Sequence, residues 1–520
     1  MLITLCLMGL RFMGKKHFIK LYILALSVLF SAISLSAQVR VSGSAPEFVD
    51  QTFYVLMHED EFLKEPQLAG TFSTDSQGQF SFSIALNKTS VMVLRFGYAN
   101  LKFFVKPGAD YTIRIPTEKE GLLRSPSTET YSSVFFENLS TSDPNARISA
   151  FSEMYDRFFA EYSFEIAQSS YPGSRAFVKA SSQKLKSTQL IAGEDSIKRE
   201  SGPGFLFLSK DFTQKIDSIS RDWDDYSRLY ARSICAELQL SAGRNPNDIF
   251  KEFIAPASWD KNNPGYCTLL EVFYNNAFQS MRFVGSAKRI ATIANQGQTC
   301  DSIFGFLSPY EVFSVSGSRD YGILQLLRNM RKEGMIDSNV YLRLMNENRD
   351  RCLPDFLRPL AQSLIEKEEL AKKGWPMPEL KLLNTNEELV KIEQKQGFYT
   401  YFLFFSSWSK QSIEELILLE DIAEKYRKDV QVVCISIDED FEDFKGFVLG
   451  SKRLKLLQLY GFSDALIREK TGVYSVPQAL LFDPEGKLLY DYTPLPTDDL
   501  ETPLKRLTFV KEEKLKVWDD

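Results

Sequence analysis

The spacing of hydrophobic positions changes twice along the chain, and the first region has a period of two. From Val39 to about Ile115, short stretches alternate apolar and polar residues, which predicts β-strands with one buried face. The clearest strands are predicted over 52–57, 79–84, 91–96, 101–105 and 111–115. Turn-forming residues separate them, as at Asp75-Ser76-Gln77-Gly78. About five to seven strands in roughly 80 residues predict a small β-sandwich, which we place at 38–120.

A second region, from about 128 to 373, has the period of α-helices. Apolar residues recur there every three or four positions and predict helices over 146–168, 174–191, 206–240, 266–282, 321–332 and 355–372. The breaks Asn245-Pro246-Asn247 and Asn262-Asn263-Pro264-Gly265 separate helices. We therefore predict a helical domain at 121–373, and we assign its aromatic stripe at 151–162 to the core rather than to a ligand site.

The third region, 374–520, alternates strands and helices. The unbroken apolar runs 400–405 and 430–437 predict strands that are buried on both faces. A helix is predicted to follow Ser409, with shorter helices at 440–449 and 463–470. A hairpin is predicted over 478–482 and 487–492, around Asp483-Pro484-Glu485-Gly486. The predicted fold class is multidomain α+β, with an α/β domain at the C-terminus.

The charge balance and the histidine count narrow the classes of function. The chain has 62 basic and 68 acidic residues, a net charge of −6 and no basic block, which argues against a nucleic-acid partner. Two histidines, His17 and His58, are too few for histidine-based triads or His-rich metal sites, and His58 is expected to be a surface or loop residue rather than a catalytic base. The acidic run 438–443 lacks the spacing and the glycine of an EF-hand and is expected to be a solvated helix start. No metal or other cofactor is predicted.

The N-terminal sequence has the features of a secretory signal peptide. Lys15-Lys16-His17 precede an apolar stretch, 18–35, that ends in small residues, and we predict cleavage after Ala37. An uncleaved signal anchor is the alternative, and no later stretch is apolar enough for a membrane span. Residues 1–37 are therefore predicted to direct the protein to the periplasm or cell envelope, with no membrane span in the mature chain.

Five cysteines follow the predicted signal peptide, and none of them forms a Cys-x-x-Cys pair. An extracytoplasmic location favours disulfides. One or two are therefore expected among Cys235, Cys267, Cys300 and Cys352, and their connectivity stays open. Cys434 lies inside an apolar run and is expected to be a buried, unreactive strand residue.

Several motifs after 374 occur in the order found in one family. Pro378-Glu379-Leu380-Lys381-Leu382 leads into the domain, Phe404-Phe405-Ser406-Ser407-Trp408 leads into a helix, and Tyr474-Ser475-Val476-Pro477 precedes the hairpin. In these motifs the sequence resembles the TlpA/ResA-like thioredoxin family of extracytoplasmic thiol-disulfide oxidoreductases. The run FFVKPGADYTIRI resembles the end of an N-terminal β-domain common in envelope thioredoxin-like proteins of Bacteroidetes. The resemblance implies a thioredoxin fold at the C-terminus, with Pro477 as its cis-proline.

The chain departs from the family at the two residues that carry the family's activity. The family has Trp-Cys-x-x-Cys where this chain has Trp408-Ser409-Lys410-Gln411-Ser412. A serine hydroxyl cannot form a disulfide, and a helix N-terminus does not make it a comparable nucleophile. Ser409 and Ser412 are therefore degenerate redox positions, and dithiol chemistry is predicted to be absent here. A Ser–Lys hydrolase is disfavoured: S-x-x-K at Ser407 and K-T-G at Lys470 have no S-D-N between them.

These observations predict a non-catalytic binding or scaffold protein of the cell envelope. Thioredoxin folds bind extended peptide beside the cis-proline without needing cysteines, and the resemblance places Trp408, Tyr474, Val476 and Pro477 on that surface. The expected partner is an envelope protein or an extended peptide. The alternative is a thiol-disulfide oxidoreductase of the TlpA/ResA type that acts through a cysteine outside the usual site. In a third interpretation, the helical domain holds the function and the C-terminal domain is structural.

Overall fold

The computed structural model describes residues 37–516, except 59, 126–129, 164–203, 284, 371 and 452–453. This part of the chain contains three β-sheets and fourteen α-helices, so the predicted mixed α+β class is confirmed. The predicted signal peptide before Ala37 and the predicted helix 174–191 lie outside the described residues. No helix in the described part combines the length and the apolar character that a membrane span needs.

The first eight strands form two sheets that face each other, and we call them together the N-terminal sandwich. They are β1 (Ala37–Ser44), β2 (Thr52–His58), β3 (Pro66–Ser73), β4 (Gln79–Leu86), β5 (Ser90–Phe96), β6 (Ala99–Val105), β7 (Asp110–Arg114) and β8 (Phe135–Phe136). One sheet has the order β4-β1-β7-β8 and the other has the order β3-β2-β5-β6. Residues of both sheets, among them Val39, Phe53 and Leu94, share one apolar core.

The five predicted strands correspond to β2 and β4–β7. The sequence pattern does not identify β3, because most of its side chains are exposed and it therefore lacks a buried alternating face. β1 is also missing from the prediction, although it lies between β4 and β7 in the sheet and pairs with both.

Ten helices follow the sandwich and pack mainly around two apolar cores. They are α1 (Pro144–Glu161), α2 (Phe205–Ile219), α3 (Asp225–Ser241), α4 (Pro246–Ile249), α5 (Pro264–Phe283), α6 (Ser286–Asn295), α7 (Cys300–Leu307), α8 (Ser318–Lys332), α9 (Ser338–Glu347) and α10 (Arg358–Glu369). The prediction of one helix over 206–240 is wrong, because the chain breaks between α2 and α3. Asp224 is extended there (φ −61°, ψ 157°) and its carboxylate accepts a hydrogen bond from the N–H of Ser227, so that it caps α3.

The loop after β2 joins the sandwich to the helices. Phe62 belongs to the helical core, and its ring centroid lies 5.2 Å from that of Trp259 and 4.4 Å from that of Tyr321. His58 ends β2, is 5% exposed, and has its Nδ1 2.8 Å from Oε1 of the buried Glu61. The expectation of a surface histidine is therefore wrong, because His58 pairs with a carboxylate at a junction that the local sequence does not show.

The C-terminal part of the chain forms a six-stranded sheet with helices packed against it. Its elements are β9 (Leu382–Leu383), β10 (Leu389–Val390), β11 (Tyr399–Phe405), α11 (Lys410–Tyr426), β12 (Val430–Ser436), α12 (Phe441–Gly450), β13 (Leu457–Tyr460), α13 (Ile467–Thr471), β14 (Gln478–Phe482) and α14 (Glu501–Lys516). The strand order is β10-β9-β13-β12-β11-β14. β11, β12 and β13 are parallel, and β14 is antiparallel to β11. Among these elements, β11, α11, β12, α12, α13 and β14 lie where the sequence predicts strands and helices, whereas β9, β10 and β13 were not predicted.

The second half of the predicted hairpin is not a strand. Within the described residues, positions 487–492 form two isolated bridges, Lys487 with Pro376 and Leu488 with Phe482. The N–H of Gly374 donates to the carbonyl of Leu488, and the N–H of Leu488 donates to the carbonyl of Trp375. Leu488 therefore bonds to the segment that leads into the domain, whereas the N–H of Leu489 donates to the carbonyl of Leu481 on β14.

Candidate functional site

The candidate site begins where the central strand β11 ends. Residues 401–405 are fully buried, and the chain then turns through 406–409 into α11. Ser409 is the N-cap of this helix (φ −89°, ψ 109°), and its Oγ accepts a hydrogen bond from the N–H of Ser412 at 3.2 Å. The hydroxyl of Ser409 therefore stabilises the start of α11.

The neighbours of Ser409 in the turn differ sharply in exposure. The Trp408 side chain is 69% exposed, whereas Ser406 and Ser412 are fully buried. The hydroxyls of Ser406 and Ser412 have no hydrogen-bond partner among the groups that the structure describes. An unpaired buried hydroxyl costs roughly 1–3 kcal/mol. The fold therefore gains nothing from the Oγ atom of Ser412.

A buried carboxylate, which the sequence analysis missed, holds the same turn from the side of β12. Asp438 is 1% exposed and accepts hydrogen bonds from the N–H of Ser407 (2.9 Å), the Ser407 hydroxyl (3.0 Å) and the Ser436 hydroxyl (2.7 Å). Burial raises the pKa of Asp438 and outweighs these hydrogen bonds, which lower it. The expected solvated helix start is therefore wrong for Asp438, although Asp440 does cap α12. Nowhere in the described residues do three or more His, Cys, Asp or Glu side chains form a group that could hold a metal ion.

Replacing Asp438 by asparagine should change stability in a pH-dependent way. The raised pKa means that the folded state holds this proton more tightly than the unfolded state does. The stability that this bound proton contributes is fully present below the pKa that the carboxyl group has in the unfolded chain. It is lost as pH rises through the pKa that the group has in the folded protein. Asparagine does not titrate. The free energy of unfolding of Asp438→Asn, relative to that of the wild type, should therefore be higher at neutral pH than in weak acid. Urea unfolding of both proteins at the two pH values checks this.

The matched control is Glu442→Gln, which changes an exposed carboxylate in the same acidic run. Its stability relative to the wild type should vary less with pH. A difference between Asp438→Asn and the wild type that stays constant from weak acid to neutral pH would contradict the assignment of a raised pKa to Asp438.

The second part of the site is the loop between α13 and β14. Gly472 ends α13 in the left-handed conformation (φ 68°), and the peptide bond between Val476 and Pro477 is cis. Tyr474 is 43% exposed, and Val476 and Pro477 are half-buried. Within the described structure, the backbone N–H and C=O groups of Ser475 and Val476 make no hydrogen bond. The loop therefore presents unpaired backbone next to an exposed aromatic ring.

Strand register brings the two parts together. Phe404 pairs with Gln478 at the start of β14, and Phe405 pairs with Ser436 at the end of β12. The turn 406–409 therefore lies between the segment that precedes β14 and the segment that follows β12. The four predicted binding residues thus lie on two loops at one edge of the sheet: Trp408, Tyr474, Val476 and Pro477.

The described cysteines do not form the expected disulfides. Cys235, Cys267 and Cys434 are free thiols, Cys300 is buried like them, and the side chain of Cys352 lies outside the described residues. Burial raises the pKa of Cys235 to about 12 and raises those of Cys267 and Cys434 still further. Cys235, Cys267 and Cys300 sit on separate helices, and each is covered by its own surroundings, so the expected bridges among them are absent. None of the three thiols with a raised pKa offers a reactive thiolate at neutral pH.

A separate concavity of about 470 Å³ lies between α11 and the start of α14. It is lined by Leu418, Asp421, Ile422, Pro496, Asp499, Glu501 and Lys505. It contains none of the four predicted binding residues, and two of its charged side chains, Glu501 and Lys505, already pair with each other. The concavity and the candidate site are therefore distinct surfaces.

Comparison with known proteins gives partial matches. No family model matches the chain, and no curated protein matches it. Among solved structures, it is similar to a thiol-disulfide oxidoreductase from Bacteroides fragilis (23% identity, 25% of this chain and 98% of that chain, TM-score 0.23). It is also similar to a thiol:disulfide interchange protein from a Bacteroides species (18% identity, 26% of this chain and 91% of that chain, TM-score 0.24). A third similar structure is the thioredoxin domain of a thiol-disulfide oxidoreductase from Bacteroides vulgatus (19% identity, 26% of this chain and 96% of that chain, TM-score 0.24).

Proposed function

We propose that this protein is a non-catalytic thioredoxin-like protein of the TlpA/ResA type that acts in the periplasm or cell envelope. It binds an extended segment of another envelope protein on a face made by Trp408, Tyr474, Val476 and Pro477. In this proposal residues 1–37 are a cleaved signal peptide, followed by a β-sandwich domain (38–120), a helical domain (121–373) and a thioredoxin-like domain (374–520).

The observation that carries the proposal is unpaired backbone beside two exposed aromatic rings. Ser475 and Val476 have free N–H and C=O groups within the described structure, and an extended peptide can pair with such groups as an added strand does. Tyr474 precedes them, and Trp408 lies on the adjoining turn. Large aromatic side chains are the usual anchors of binding surfaces because they bury much apolar area at little cost in side-chain entropy.

The same residues argue against catalysis at this site. Ser409 uses its hydroxyl to cap α11, and Ser412 is sealed from solvent. Thiol exchange elsewhere in the chain needs an accessible cysteine with a depressed pKa. Cys235, Cys267 and Cys434 have raised pKa values instead, and Cys300 is buried. The oxidoreductase alternative therefore has no observation in its favour among these four cysteines.

Selection of random peptides displayed on phage against the immobilised full chain tests the proposal. Selected peptides should bind the wild type, and Trp408→Ala and Tyr474→Ala should each weaken binding about tenfold or more, because an aromatic anchor contributes about 2 kcal/mol. Phe207→Ala is the matched control, since Phe207 is an equally exposed aromatic residue (63%) on α2. Failure to select any peptide, or equal affinity for all three variants, would overturn the proposed function.

A further inference from the structure

The N-terminal sandwich holds the segment that leads into the candidate binding loop. Nη1 of Arg95, on β5, donates hydrogen bonds to the carbonyl of Ala465 and to Oε1 of Glu469, each at 2.9 Å. The hydroxyl of Tyr54, on β2, donates to the carbonyls of Phe462 and Ser463, also at 2.9 Å. Glu469 belongs to α13, which ends at Thr471 shortly before the loop. Two strands of the sandwich therefore fix the helix from which the loop departs.

One buried arginine links the sandwich to this loop. Arg468 is 2% exposed, and its guanidinium lies over the ring of Tyr98 (5.3 Å to the centroid) and over that of Phe462 (5.6 Å). Its Nη2 donates to the carbonyl of Gly97 at 3.3 Å. Arg468 belongs to α13, four positions before Gly472, where the loop begins. The turn between β5 and β6 thus contacts a buried residue of the helix that leads into the loop.

The same turn also contacts the opposite flank of the candidate face. The N–H of Tyr98 donates to Oε1 of Glu439 at 3.0 Å, and its hydroxyl donates to the carbonyl of Ile437 at 3.4 Å. Arg124 forms an ion pair with the Glu439 carboxylate. Asp438, between these two residues, holds the turn that carries Trp408. Tyr98 therefore touches both segments that border the face.

We infer that the sandwich sets the geometry of the binding face, with Tyr98 and Arg468 as positioning residues that hold the loop 472–477 against the turn 406–409. The loop is weakly held in its middle, because Ser475 and Val476 have no backbone hydrogen bonds within the described structure. Its conformation therefore depends on its two ends, β14 on one side and α13 with Arg468 on the other. The inference rests on the proposed function for what the face binds, whereas the contacts that order the loop do not depend on it.

Hydrogen exchange of the full-length protein without ligand tests the inference. Tyr98→Ala removes the ring from Arg468, so the amides of Gly472 and Val473, which donate to the Arg468 carbonyl and the Thr471 hydroxyl, should exchange about tenfold faster than in the wild type. Tyr98→Phe keeps the ring and should resemble the wild type. Exchange in β5 reports whether the sandwich stays folded, and exchange in β12 reports on the C-terminal core. Both should stay unchanged in the two variants.

A second pair of variants keeps the test decisive if Tyr98→Ala unfolds the sandwich. Glu469→Ala removes the acceptor of the Arg95 hydrogen bond and should also open the loop, whereas Glu469→Gln keeps an accepting oxygen and should not. Wild-type exchange at Gly472 and Val473 in a folded Tyr98→Ala or Glu469→Ala protein would overturn the inference. The peptide selection described above decides separately on the proposed function, because loop exchange is measured without any peptide.

Discussion

Replacing Ser409 and Ser412 together by cysteine should create a disulfide that closes under mild oxidation. The two side chains are already adjacent, since the Oγ of Ser409 accepts a hydrogen bond from the N–H of Ser412, and residues three apart at a helix start lie about 5–6 Å from each other. The thiol at position 409 would sit at a helix N-terminus, which lowers thiol pKa values. The buried position 412 suits a cysteine, because its present hydroxyl has no partner among the described groups.

Intact-mass measurement after oxidation should show the loss of two hydrogens in the double variant, and the variant should reduce insulin at least about tenfold faster than the wild type. The wild type, which keeps its own cysteines, and the two single variants are the controls and should show neither property. If the thiols introduced at 409 and 412 both stay free after the oxidation treatment, these positions do not have the geometry of a dithiol site.

Replacing Phe62 by alanine should destabilise the protein by about 3 kcal/mol or more. The side chain is 8% exposed and lies in the helical core although it follows a strand of the sandwich. Its ring is stacked on Trp259 and contacts Tyr321, so truncation leaves a cavity between two aromatic rings and releases the loop that joins the two parts. Urea unfolding, followed by tryptophan fluorescence, measures the loss.

The control for this prediction is again Phe207→Ala, because truncation of an exposed side chain changes stability by about 0.5 kcal/mol or less. Equal unfolding midpoints for Phe62→Ala and Phe207→Ala would show that the loop after β2 does not anchor the sandwich to the helices.

The elements predicted best are those whose residues are buried in a regular way. The continuous apolar runs of β11 and β12 predict both strands correctly because central parallel strands are covered on both faces. The prediction fails where segments distant in the chain determine which residues form a strand. The residues after Phe482 look like a hairpin strand, but Leu488 bonds to the segment around Trp375, and within the described structure Leu489 alone of 487–492 donates a backbone hydrogen bond to β14. β13 has only four residues and too little pattern to be identified.

The candidate site was predicted in part. The turn residues Ser409 and Trp408 and the loop residues Tyr474, Val476 and Pro477 follow from motifs that are local in the chain. Asp438 was missed, because acidic residues after a strand are usually solvated and only the packed structure shows that Ser407 and Ser436 donate to its carboxylate. The burial of Cys235 and Cys267 on separate helices was likewise invisible in their spacing.

By itself, the sequence determined the succession of a strand-rich, a helical and a mixed region and the absence of a Cys-x-x-Cys pair, since each depends on residues close together in the chain. Only the tertiary structure decided which of these elements meet. Gly97 and Arg468, which share a hydrogen bond, are separated by 371 positions. Hydrophobic periodicity reports that a residue is buried, but it carries no information about the partner that covers it. The placement of the sandwich beside the candidate loop is therefore a property of the fold alone.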